Sequence, residues 1–119
     1  MSSSAWEKFR GATLSLARSG TIKDRLTDAY RNHLAFVNEE DLPRELREEF
    51  RAFHRAVTRE RPMIRGEDAF RATIRKMSAG EADRHATAVV SMFCQIPRNY
   101  SPQRSTSSAQ VVPLYSAEA

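Results

Sequence analysis

Hydrophobic and polar positions alternate at helical spacing along most of the chain, from Ser4 to Ile96. Apolar residues recur three and four positions apart, which places them on one face of a helix. Stretches of this kind follow one another along the sequence, each with its own start and stop signals. No stretch shows a strand pattern of comparable strength. The sequence therefore predicts an all-α fold, an antiparallel bundle of about five helices.

Side chains that can cap a helix mark where the first two helices begin. Ser4 and Glu7 form a capping-box pattern, in which each side chain bonds the backbone N–H of the other residue. The first helix is therefore predicted to start at about Ala5. Gly20 suits the left-handed position that follows a helix, and Thr21 is a preferred N-cap for the second helix.

The third predicted helix runs from Pro43 to about Thr58 and has two very different faces. Proline fits its first turn, where the missing N–H would be unpaired in any case. At 100° per residue, an apolar seam faces the core: Leu46, Phe50, Phe53 and Val57. The opposite side carries Arg44, Arg47, Arg51, Arg55 and Arg59, interrupted by Glu48.

Two further helices are predicted after the connection that contains Pro62. Gly66 is a plausible N-cap for the fourth helix, with acidic residues next to it in the first turn. A second capping box, formed by Ser78 and Glu81, ends the fourth helix and starts the fifth. The two helices are therefore expected to form a tight antiparallel hairpin.

The chain is predicted to hold one helical domain followed by a tail. Pro97 ends the fifth helix, which gives a bundle domain over residues 1–97. From residue 98 to residue 119 the periodicity vanishes, and the composition becomes turn-forming and poor in apolar residues. These residues are predicted to form a disordered C-terminal tail.

Positive charge is concentrated in one segment. The chain has a formal net charge of +4, and the segment from Pro43 to Arg65 carries seven arginines against four glutamates. The arginines are Arg44, Arg47, Arg51, Arg55, Arg59, Arg61 and Arg65. Because steering follows the distribution of charge more than its total, a basic helix on a neutral body points to an acidic partner.

The first hypothesis is a small cytoplasmic interaction or regulatory module that binds an acidic protein partner through these seven arginines. The alternative is a nucleic-acid-binding regulator that uses the same arginines to contact phosphates. A third interpretation is a solvated face on which arginines pair with neighbouring glutamates. The aromatic residues among the arginines, Phe50 and Phe53, are predicted to point to the core. The exposed aromatic interleaving typical of single-strand binding is therefore lacking, and a protein partner is preferred. The oligomeric state stays open.

Residues that could carry catalysis or bind a metal are scattered. His33, His54 and His85 lie on different predicted helices, and Cys94, the single cysteine, flanks a buried face as a small hydrophobic residue. The sequence has no phosphate-binding loop and no nucleophile elbow. We therefore expect no enzyme activity, no cofactor and no metal site.

No apolar run is long enough to span a bilayer, and the N-terminus has no secretory signal, so a cytoplasmic location without membrane attachment is expected.

Overall fold

The computed structural model describes residues 4–102, and within that range it contains helices and no strand. The helices are α1 (Ala5–Leu16), α2 (Ile22–Asn32), α3 (Arg44–Val57), α4 (Ala69–Lys76) and α5 (Ala79–Cys94). Two short 3-10 turns, Leu34–Phe36 and Glu39–Asp41, join α2 to α3. The predicted all-α bundle of about five helices is confirmed. Residues 103–119, most of the predicted tail, lie outside the described residues.

Three predicted helix starts are confirmed by their hydrogen bonds. Both capping boxes are complete: the Glu7 N–H donates to Ser4 Oγ at 3.1 Å, and the Glu81 N–H donates to Ser78 Oγ at 3.0 Å. Thr21 caps α2: its hydroxyl oxygen accepts a bond at 3.0 Å from the Asp24 N–H, three residues later in the first helical turn. Each of these side chains satisfies a backbone donor that the helix itself leaves unpaired.

The predicted start of α4 at Gly66 is wrong. The N-cap is Asp68, whose carboxylate accepts a bond from the Arg71 N–H at 2.9 Å. Gly66 instead has a φ of 82° in a turn that the Glu67 N–H closes on the Ile64 carbonyl at 3.0 Å. An N-cap residue needs extended backbone angles, which Asp68 has and Gly66 lacks.

The core lies where α1, α2 and α5 pack on one another, with α3 closing one side. The expected hairpin of α4 with α5 is wrong, because α4 packs mainly on α3 while α5 packs mainly on α1 and α2. Met77 joins the two helices with an extended backbone and is itself buried in the core. The short connection therefore directs α5 toward α1 and α2, and α5 does not fold back along α4.

Helix α4 is attached to α2 by aromatic and ionic contacts. The rings of Tyr30 and Phe70 stack with centroids 4.2 Å apart. Arg31 donates two hydrogen bonds to the Asp68 carboxylate at 2.7 and 2.8 Å, and its guanidinium lies 5.0 Å from the Phe70 ring centroid. These bonds, together with the Arg71 N–H, lower the pKa of Asp68 to about 2, so the pair stays charged at neutral pH.

The first residues of the predicted tail contact the bundle. The Tyr100 hydroxyl donates to the Leu42 carbonyl at 3.4 Å, and its ring packs against the core. The Arg98 guanidinium lies 5.2 Å from the ring centroid of Trp6 on α1, within cation–π range. Contacts with the bundle therefore continue past Pro97.

One buried hydroxyl has no hydrogen-bond partner within residues 4–102: Oγ1 of Thr13 on α1. Thr13→Val replaces this hydroxyl by a methyl group of similar shape and removes the cost of burying an unpaired polar group. We expect the free energy of unfolding to rise by up to about 1 kcal/mol, measured by urea denaturation. A loss of stability would contradict this expectation and would mean that the hydroxyl is satisfied in solution.

Candidate functional site

The predicted arginine face lies on α3 and on the connection from α3 to α4. The core seam opposite it is confirmed, since Leu46, Phe50, Phe53 and Val57 are each at most 5% exposed. Six of the seven arginines are exposed, and Arg47 is half-buried. On α3 itself, the core seam and the exposed arginines therefore occupy opposite sides of the helix.

Arg47 is part of the scaffold. Its Nε donates to the Leu42 carbonyl at 3.1 Å, and its Nη2 donates to the Glu40 carbonyl at 3.2 Å. Both acceptors are backbone carbonyls at the end of the second 3-10 turn, which α3 follows. Arg47 therefore holds the start of α3 in place. Because its guanidinium already bonds the chain itself, it is less available to a partner than the exposed arginines.

Arg51 and Arg59 pair with carboxylates of the chain itself. Arg51 Nε donates to Glu39 Oε1 at 2.9 Å. Arg59 reaches Glu60 and Glu81, each at 3.4 Å, and these two hydrogen bonds raise the pKa of its guanidinium. For these two positions, the interpretation as a surface of paired charges fits the observed geometry.

The side chains of the other four arginines make no hydrogen bond or ion pair with any residue from 4 to 102. They are Arg44, Arg55, Arg61 and Arg65, and all four are exposed. Charge changes along the segment: residues 44–49 hold two arginines against three glutamates, whereas residues 50–65 hold five arginines against one glutamate. Arg44 lies in the acidic part. We call Arg55, Arg61 and Arg65 the basic surface.

The connection that carries Arg61 and Arg65 is anchored at both ends. At its start, the Glu60 N–H donates to Oγ1 of Thr73 at 2.9 Å, and Thr73 is fully buried. At its end, the Glu67 carboxylate accepts two bonds from Arg75, at 2.8 and 3.1 Å, and a longer bond of 3.4 Å from the Met63 N–H. The Arg75 guanidinium is the main cause that lowers the pKa of Glu67. The residues between the anchors are all exposed.

Two large apolar side chains lie within this connection, between Arg61 and Arg65. Met63 is 74% exposed and Ile64 is 55% exposed. Neither charge nor helical periodicity marks these two residues in the sequence. The available signal was an apolar pair between Pro62 and a glycine, in a segment without helical spacing.

The histidines do not come together. The His33 ring lies against α1 at Gly11, where a Cβ atom would be 2.5 Å from the ring. His54 lies next to Tyr30, with its Nδ1 3.2 Å from the Tyr30 hydroxyl. His85 lies on α5, where burial is the main cause that lowers its pKa. Within residues 4–102, no three His, Cys, Asp or Glu side chains are grouped so that they could hold a metal ion.

Cys94 is exposed at the end of α5, so its predicted place beside the buried face is wrong. Met92 and Ile96 fill the core at this end of the helix, with exposures of 0% and 4%. The helix is therefore turned so that Cys94 faces solvent.

An apolar groove of about 430 Å³ lies beside the first 3-10 turn. Phe36, which is 64% exposed, and Phe50 line it, with Arg51 and His54 at its polar side. Arg51 and Glu39, which both line the groove, are already paired with each other.

A scan of the sequence against protein-family models found no match, and searches of the curated proteins and of the solved structures found none either. The class that the geometry defines is a small helical bundle with exposed arginines on α3 and on the connection that follows it. In the part of the chain that the structure describes, no helix has both the length and the apolar character needed to cross a membrane.

Proposed function

We propose that this chain is a small cytoplasmic interaction or regulatory module that binds an acidic protein partner through its basic surface. The observation that carries the proposal is that the guanidinium groups of Arg55, Arg61 and Arg65 have no carboxylate of their own within residues 4–102. Arg51 and Arg59, their neighbours in the sequence, are already paired with carboxylates of the chain. In this proposal the chain acts by binding and catalyses no reaction.

Arginine suits this role because its planar guanidinium can bind a carboxylate through two parallel hydrogen bonds. Complementary charge also raises the rate of encounter between partners, and salt weakens the attraction because the screening length is only about 8 Å at physiological ionic strength. A partner held by the basic surface is therefore expected to bind less tightly as salt rises.

The extent of the basic surface favours a protein partner over a nucleic acid. Duplex DNA carries about one charge per 1.7 Å along its axis, so its contact surface needs basic residues over some distance. On α3 the basic residues give way toward the N-terminus to Glu45, Glu48 and Glu49, which would repel a phosphate backbone laid along the helix. A protein partner with a compact group of carboxylates can contact the basic surface without lying against these glutamates.

Replacing all three residues of the basic surface by glutamine (Arg55→Gln, Arg61→Gln, Arg65→Gln) tests the proposal. Because exposed charges contribute little to folding, the free energy of unfolding should change by less than about 1 kcal/mol. Affinity for a fluorescein-labelled oligoglutamate, measured by fluorescence anisotropy, should fall by at least about tenfold, or about 1.4 kcal/mol. Wild-type affinity should also fall as salt rises.

A control removes positive charge elsewhere on the bundle, from α1 and the residues after it. Arg10 and Arg18 are exposed and make no side-chain ion pair within the described part of the chain. Their double glutamine variant should bind oligoglutamate like the wild type. Equal losses in the two variants, or no loss in either, would contradict the proposal. Single- and double-stranded oligonucleotides are measured in parallel, and tighter binding to them through the same three arginines would replace it with the nucleic-acid alternative.

A further inference from the structure

Met63 and Ile64 are two adjacent, large apolar residues that are both exposed. Single apolar side chains are common on protein surfaces and need no explanation. Here two large ones are adjacent, 74% and 55% exposed, and stand between Arg61 and Arg65. Apolar and cationic groups are therefore presented together at one point of the molecule.

The segment that presents them is held in a defined conformation. The buried hydroxyl of Thr73 fixes Glu60 at one end. At the other end the side chain of Glu67, only 5% exposed, bonds both Arg75 and the Met63 N–H. A binding segment that is ordered before it meets its partner loses less conformational entropy on binding.

We propose that Met63 and Ile64 are the apolar anchors of the interface and that the partner supplies an acidic amphipathic helix. The inference rests on the proposed function and names the kind of partner. The apolar face of such a helix covers the two side chains, and carboxylates beside that face meet Arg61 and Arg65. Methionine and arginine are both enriched in protein interfaces, and amphipathic helices bind through apolar residues at i, i+3, i+4 and i+7.

A lipid surface is a weaker explanation for the same residues. Only two side chains would enter the bilayer, and even one myristoyl chain gives marginal, reversible membrane binding. A helix can instead cover both side chains from several directions and place its carboxylates at fixed distances from the arginines. The observed combination of two anchors with one arginine on each side therefore favours a protein.

Two labelled peptides of equal length and equal glutamate content test the inference. They differ only in carrying leucine or glutamine at the i, i+3, i+4 and i+7 positions. The wild type should bind the leucine peptide at least about tenfold more tightly, as measured by fluorescence anisotropy. The double variant Met63→Ser, Ile64→Ser should lose this preference and keep its affinity for the glutamine peptide. Leu14→Ser, at a 51% exposed position on α1, is the control and should keep the preference.

The outcomes separate this inference from the proposed function. If the wild type binds both peptides equally, or the double variant keeps the preference, the inference is overturned while the role of the arginines stands. If the glutamine variant of the basic surface binds both peptides like the wild type, the proposed function itself fails. The remaining measurement is sedimentation with phosphatidylserine vesicles. If Met63 and Ile64 are required for binding to the vesicles but not for binding to the leucine peptide, the segment is assigned to a membrane and the inference is overturned. Circular dichroism establishes that each variant is folded.

Discussion

Leu26→Ala should lower the free energy of unfolding by about 3 to 5 kcal/mol. Leu26 lies on α2 and is 0% exposed, in the core that α2 shares with α1 and α5. The loss combines the transfer free energy of the missing atoms with the cavity that they leave. Because small domains are stable by only about 5 to 15 kcal/mol, urea denaturation should show a much lower midpoint.

Leu14→Ala is the matched control for this prediction. It removes the same atoms from a helix of the same bundle, but Leu14 is 51% exposed. Its expected cost is below about 1 kcal/mol, since little apolar surface returns to water. Similar losses at the two positions would mean that α2 does not pack as the structure describes.

Thr73→Val should lower the free energy of unfolding by about 1 to 3 kcal/mol, although valine has nearly the same shape. The Thr73 hydroxyl is fully buried, accepts a bond from the Glu60 N–H at 2.9 Å and donates one to the Ala69 carbonyl at 2.8 Å. Valine would leave the Glu60 N–H without its acceptor. Urea denaturation measures the change, which is opposite in sign to that expected for Thr13→Val.

Thr27→Val is the control that shows what replacing a helical threonine by valine costs when no other segment loses a hydrogen-bond acceptor. The Thr27 hydroxyl donates to the Lys23 carbonyl four residues earlier on α2 and, within residues 4–102, accepts no bond from another segment. Its replacement should change stability by less than about 0.5 kcal/mol. A Thr73→Val variant as stable as the Thr27→Val variant would show that the Glu60 N–H finds another partner.

Helix starts could be predicted where the determining bonds are local. Ser4 and Glu7 are three residues apart, so the capping box is visible in the sequence. The start of α4 was misplaced because Gly66 and Asp68 are both acceptable N-cap residues. Asp68 is additionally held by Arg31, which lies 37 residues earlier in the chain. A contact between segments that distant cannot be inferred from local pattern.

The candidate site could be predicted as a group of arginines, but not as the smaller set that is free of internal pairs. Arg51 pairs with Glu39 twelve residues earlier, and Arg59 pairs with Glu81 twenty-two residues later. Spacing along α3 indicated only neighbours within one helical turn. The exposure of Met63 and Ile64 also escaped prediction, because apolar side chains are expected to be buried unless tertiary structure leaves them outside.

The attachment of α4 has a consequence for the proposed binding. This eight-residue helix meets the bundle mainly through α3, the Tyr30–Phe70 stack and the Arg31–Asp68 pair, and it also anchors the segment with Arg61 and Arg65. Proteins open locally where such contacts are few. If only the closed form presents the segment correctly, the apparent affinity is reduced by the fraction of molecules that are open. Asp68, which is not among the proposed contact residues, would then influence the affinity through the population of the closed form.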